Sequence, residues 1–130
     1  MRLQSVFSAL LFAPTLLAQD PLQVAPAHYK LVFENEQVRV LEGRDLPGER
    51  IPMHAHPDTL MVVVAPFKRR LVLANGKTIT VDMKTGDTRW MPAQSHAGEN
   101  IGDTETRAIF IEFKQPTTTP SGKPEPPKAK

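Results

Sequence analysis

Cysteine is absent from all 130 residues, which removes disulfides, thiolate nucleophiles and zinc-finger ligands together. A fold built from this chain is held by core packing alone. Aromatic residues are scarce too: six Phe, one Trp and one Tyr suffice for one hydrophobic core at this length and not for two. An excess of one charge is also missing from the body. Of 16 Lys and Arg, Arg2 lies near the start and Lys123, Lys128 and Lys130 near the end, while of 14 Asp and Glu only Glu125 lies outside residues 19–115, so that stretch carries 12 basic and 13 acidic side chains. A nearly neutral body offers no footprint for a phosphate backbone, and nucleic acid is excluded as a partner.

Residues 1–18, MRLQSVFSALLFAPTLLA, hold the one long apolar run. Arg2 supplies a positive end, Val6 to Leu17 the apolar stretch, and Leu16 and Ala18 suit a signal-peptidase cut before Gln19. The run is shorter than the roughly 20 residues of a spanning helix and contains Pro14. The expectation is therefore a signal peptide and an exported protein, periplasmic or secreted, with no stable membrane anchor. At the other end, residues 116–130 carry five of the 13 prolines and no apolar side chain larger than Ala, which predicts a disordered Pro-rich tail. Residues 19–27 read as a short leader, leaving residues 28–115 as the single folded domain.

Within that domain, short runs rich in β-branched and aromatic residues alternate with turn signals. They are His28 to Glu34, Gln37 to Gly43, Thr59 to Ala65, Phe67 to Ala74, Lys77 to Met83, Thr88 to Met91 and Thr106 to Lys114. Asn75-Gly76 predicts a type I′ hairpin turn, and Thr85-Gly86-Asp87 a second turn. Pro47, Pro52, Pro57, Pro66 and Pro92 would break most helices. The pattern is all-β.

Two histidines one residue apart, in MHAHPD (residues 53–58), point to the same face if that stretch is extended. Two imidazoles on one side of a strand are half of a transition-metal site, and His96 in GDTRWMPAQSHAGEN supplies a third. Gly48, five residues, His54, one residue, His56 resembles the first motif of the cupin superfamily. Gly86, five residues, Pro92, then His96, three residues, Asn100 resembles the second. The resemblance implies a single-domain, double-stranded β-helix (jelly-roll) barrel in which His54, His56 and His96 hold a divalent metal, and a homodimer. Two departures stand out. Leu60 occupies the position where the pattern carries a glutamate, and Pro92-Ala93-Gln94-Ser95-His96 lacks the glycine that usually turns the second motif.

Three neutral imidazoles leave the metal's charge uncompensated, which favours an anionic, chelating small-molecule ligand. The site resembles cupin dioxygenases for thiols and β-diketones, which hold iron on three histidines, so Fe(II) is favoured, while Zn(II), Mn(II) and Cu(II) also suit such ligands. Asp58 continues the alternation of 54 and 56 and is the candidate acid to hydrogen-bond a ligand histidine. Arg89 and Trp90 are the candidate substrate-binding residues. Arg39, Arg44 and Arg50 are weaker candidates, and Lys68-Arg69-Arg70 reads as a solvated hairpin edge. The functional expectation is an exported, metal-dependent, dioxygenase-like enzyme acting on a small anion. The alternative is a non-catalytic module that binds a metal or small ligand.

Overall fold

A computed structural model describes residues 19–115; the expected signal peptide and Pro-rich tail lie outside the described residues. Nine strands follow a one-turn helix: α1 (Pro21–Val24), β1 (Tyr29–Glu34), β2 (Val38–Asp45), β3 (Arg50–His56), β4 (Thr59–Ala65), β5 (Phe67–Leu73), β6 (Thr78–Met83), β7 (Thr88–Met91), β8 (Gln94–Asn100) and β9 (Thr106–Phe113). They form a five-stranded sheet, β1-β2-β9-β4-β7, facing a four-stranded sheet, β3-β8-β5-β6. All pairings are antiparallel. This is the all-β architecture that the sequence predicts and the double-stranded β-helix that the family resemblance implies.

The core forms where the period-2 alternation of the two sheets meets. Leu41, Met61, Val63 and Phe110 face inward from the larger sheet, and Ile51, Phe67, Val81 and Met83 from the smaller. Every run expected to be a strand is one, within a few residues at the ends. β3 and β8, which the apolar runs do not mark, carry all three candidate ligands. Their inward positions hold His54, His56, His96 and Asn100, all buried, so the apolar runs that announce the other strands are missing there.

The turn at Asn75-Gly76 is a different one from that expected. Only Gly76 has positive φ, 81°, and no non-glycine residue does, so it is not type I′. Leu73 and Lys77 close a three-residue loop through Leu73 N–H to Lys77 O at 2.8 Å, with glycine in the left-handed position such loops require.

The leader is part of the folded body. Asp20 caps α1 by accepting from Leu22 N–H at 2.9 Å, Gln19 Oε1 accepts from Ser95 Oγ at 3.1 Å, and Asp20 pairs with Arg39 of β2. No helix among the described residues is long and apolar enough to cross a membrane.

Candidate metal centre

A bulge aims the first two histidines. Ile51 lies opposite Gly98 and His54 opposite His96, so β3 spends one residue more than β8 between these pairs, at Pro52-Met53. A proline inside a strand marks such an irregularity. The extra residue turns His54 inward although Ile51, three positions earlier, also faces inward. His56 follows by ordinary alternation, and β8 pairing brings His96 across from His54.

The three rings gather in the barrel interior. Centroids lie 4.7 Å apart for His54 and His96, 5.0 Å for His54 and His56, and 5.5 Å for His56 and His96. One nitrogen from each can be chosen so that all lie within 4.8 Å of one another. Phe110 stacks on His56 at 5.1 Å with planes 8° apart, fixing that ring from the opposite sheet.

The outer nitrogens settle which inner ones are free. His56 Nδ1 lies 2.7 Å from Glu112 Oε1, and because a carboxylate only accepts, Nδ1 carries the proton and Nε2 the lone pair. His54 Nδ1 likewise donates to Pro52 O at 2.7 Å, leaving the lone pair of Nε2 to accept from the Tyr29 hydroxyl at 2.9 Å. His56 Nε2 and His96 Nδ1 are buried with no hydrogen-bond partner. Two buried imidazole nitrogens without a partner are costly unless something takes them up, and a divalent cation does so. The residues present therefore fit a metal.

Burial also keeps these ligands neutral. It pulls His54 down to about 4, against the opposing hydrogen bond to Pro52, with smaller contributions from the charges of His56 and Arg69. Burial, then His54, His56 and Arg69, pull His96 down to about 3. Both rings are neutral at pH 7, each with one nitrogen lone pair to offer, the form a metal requires. Burial drives the Tyr29 hydroxyl well above the usual tyrosine range, so it remains a donor.

The acid that reaches a ligand histidine is Glu112, not Asp58. Pro57 ends β3, and the Asp58 carboxylate instead accepts from Ala93 N–H at 2.9 Å, pinning the loop before β8. Glu112, 1 % exposed, faces inward from β9 and also pairs with Arg39 at 2.6 Å. Arg39 in turn reaches Asp20 at 2.6 Å. Burial opposes the charge of Arg39, and the two carboxylates outweigh it and raise its pKa. A chain of contacts thus runs from Asp20 through Arg39 and Glu112 to His56. No spacing rule links residues 20, 39, 56 and 112, although an acid at an inward position of the last apolar strand was a visible anomaly.

Leu60 has no bearing on the ligand count by its own side chain, since the inward positions of β4 are Thr59, Met61 and Val63 and Leu60 faces outward. Arg89 and Trp90 part company, as neighbours on a strand must. Arg89 lines the interior pocket, while Trp90 is 53 % exposed and leans on Phe113 outside the barrel at 5.6 Å. Arg44 pairs with Glu105, and Arg50 with Glu99. Arg69 is no hairpin-edge cation: it is 9 % exposed and paired with buried Asp45. Its inward position on β5 was concealed by the exposed Lys68 and Arg70 on either side.

The pocket beside the histidines has a cavity volume of about 50 Å³ and opens to solvent. His96 forms part of its wall, and Met61, Met83, Met91, Phe67 and Val81 make it largely apolar.

Solved structures carry the same architecture. A cupin domain protein from Bordetella pertussis is 28 % identical, with a TM-score of 0.62 over 67 % of this chain and 92 % of that one. A conserved protein with a double-stranded β-helix domain from Klebsiella pneumoniae is 20 % identical, with a TM-score of 0.54 over 78 % and 89 % of the two chains. A cupin family protein from Methanocaldococcus jannaschii is 15 % identical, with a TM-score of 0.53 over 65 % and 77 %. No family model matches the sequence, and no curated protein matches it. Fold and site together define a cupin-type double-stranded β-helix barrel with a three-histidine cluster suited to a divalent metal.

Proposed function

We propose that this cupin is an exported metal-dependent enzyme of dioxygenase type that acts on a small anionic molecule. His54, His56 and His96 hold the ion, with Fe(II) favoured and Zn(II), Mn(II) and Cu(II) as the alternatives their imidazoles also accept. A bound ferrous ion would supply oxygen activation, and zinc would supply Lewis-acid chemistry. The chain's own residues do the rest. Glu112 holds His56 in the required tautomer, Tyr29 keeps a proton beside His54, the apolar wall excludes water, and Arg89 sits at the rim of the pocket. The carrying observation is the pair of orphaned buried nitrogens, His56 Nε2 and His96 Nδ1.

A second observation favours an open centre over a closed structural one. Among the described residues the cluster has three members, and the nearest carboxylate, Glu112, is turned to the outer nitrogen of His56. A structural zinc site has four protein ligands. Elemental analysis of the purified, untagged chain beside a His54→Ala/His96→Ala variant tests the reading. Near-stoichiometric metal in the parent and its loss in the variant support it. A parent that stays metal-free after incubation with each ion rules it out.

The partner at the outer face of the larger sheet is a second copy of the chain. Phe33, Val40, Ile111, Leu60 and Trp90 form one cross-strand row over all five strands, and Phe33 and Trp90 are each 53 % exposed. Five strands at about 4.8 Å spacing make a face roughly 24 Å wide. Light scattering of the parent should give twice the chain mass, and Leu60→Lys/Trp90→Lys the single mass; a monomeric parent removes this partner.

A further inference from the structure

The residues lining the interior pocket include three arginines, Arg44, Arg69 and Arg89, and no Asp or Glu. Arg44 is engaged by Glu105 on the surface, and Arg89 stands at the exposed rim. Arg69 is different because it lies deep in the barrel and is only half used. Among the described residues its hydrogen bonds leave from Nη1, to Asp45 and to Thr106 Oγ1 at 3.4 Å, while Nη2 has no partner.

Nη2 lies against Gly98, where a Cβ would collide with it. The missing side chain at Gly98 is thus what admits the guanidinium. His96 is two residues from Gly98 on the same face of β8, about 6.8 Å along the strand. Arg69 and His96 both line the same pocket.

We infer that Arg69 is the specificity-determining residue of this pocket and that the ligand is a small monocarboxylate with an aliphatic body and no ammonium group. This rests on the reading of the histidines as the metal centre. The carboxylate takes the free edge of the Arg69 fork, a planar donor pair suited to it. The aliphatic body lies among Met61, Met83 and Met91, whose unbranched side chains adapt to its shape. The reacting end is directed toward His96. An α-ammonium would find no carboxylate on the pocket wall to pair with, so amino acids are disfavoured by a charge left unpaired. Asp45 does not line the pocket; its role is to hold Arg69 in place and to offset the cost of burying it.

The test is calorimetric titration of the full chain, first with Zn(II), then of the zinc-loaded form with pentanoate, pentanamide and norvaline. Zinc binding together with pentanoate affinity at least about tenfold above that of the amide and of the amino acid is the expected result. Arg69→Lys, which keeps the charge beside Asp45 and removes the fork, should cost pentanoate at least about tenfold while leaving the zinc titration unchanged. The double variant Asp45→Asn/Arg69→Gln replaces the ion pair by neutral partners and should abolish the preference for acid over amide; circular dichroism reports whether each variant folds. Should neither variant fold, the acid, amide and amino acid comparison on the parent decides. Zinc binding with equal affinity for acid and amide, or with an Arg69→Lys chain that binds pentanoate as the parent does, overturns the role of Arg69 and leaves the metal centre standing. Absence of zinc binding overturns the metal reading and this inference with it.

Discussion

The two sheets divide the candidate site between them. The four-stranded sheet supplies every ligand histidine, from β3 and β8. The five-stranded sheet supplies most of what orients them: Tyr29 from β1 against His54, Glu112 from β9 against His56, and the Phe110 ring under His56. Even the supporting pair follows the division, with Arg69 on the smaller sheet and Asp45 and Thr106 on the larger. The lesson is that residues close in sequence can mark the ligands, because i and i+2 share a face, whereas the groups that tune them come across the barrel from strands with no fixed spacing.

Changes on the ligand-bearing sheet should have the largest effect. His56→Ala removes a ligand and should weaken zinc or iron binding by about hundredfold or more, read by competition with a chelator; unchanged affinity would remove His56 from the centre. On the orienting sheet, Glu112→Gln keeps the shape and loses the charge that holds the Nδ1 proton of His56. It should cost about 10- to 100-fold in metal affinity, against which an Asp58→Asn control should show no change, since Asp58 bonds a backbone N–H instead. Equal effects of the two would break the distinction between them.

Gly98→Ala tests the smaller sheet without touching a ligand. A Cβ there meets the Arg69 guanidinium, so overpacking should lower stability by about 1–3 kcal/mol, measured by denaturant unfolding of the metal-free chain. An unaltered midpoint would show that Arg69 can shift aside. The smallest effect belongs to the larger sheet. The Tyr29 hydroxyl donates to the His54 lone pair that an ion would take, so Tyr29→Phe removes a hydrogen bond worth about 1 kcal/mol and should raise metal affinity a few-fold. A loss of affinity would instead make Tyr29 a support of the bound ion.

How much of this was legible follows the same division. The strands with apolar inward residues were found as runs rich in β-branched and aromatic residues between turn signals, for example Thr59 to Ala65, where Met61 and Val63 enter the core. β3 and β8 were not marked as strands, because histidine and asparagine at inward positions erase the pattern. The motifs around His54, His56 and His96 nevertheless located the ligands. Arg69 was misplaced because its flanking Lys68 and Arg70 are exposed and the three together look like a solvated run. Asp58 was favoured as the orienting acid on sequence proximity, and Pro57 turned it away.

The amino-acid sequence by itself determined an all-β single domain free of disulfides and three histidines placed to converge. The fold class follows from composition and local runs, the shared face of His54 and His56 from strand periodicity, and the place of His96 beside them from the resemblance of its motif. Only the tertiary structure decided that Glu112 fixes His56, that Tyr29 reaches His54, that Asp20 anchors the chain of contacts behind them, and that Arg69 enters the barrel over Gly98. Each of these joins residues from 19 to 73 positions apart. Such contacts exist because two twisted sheets must close on each other to bury their apolar faces, and the polar side chains trapped between them must then pair with whatever the opposite sheet presents.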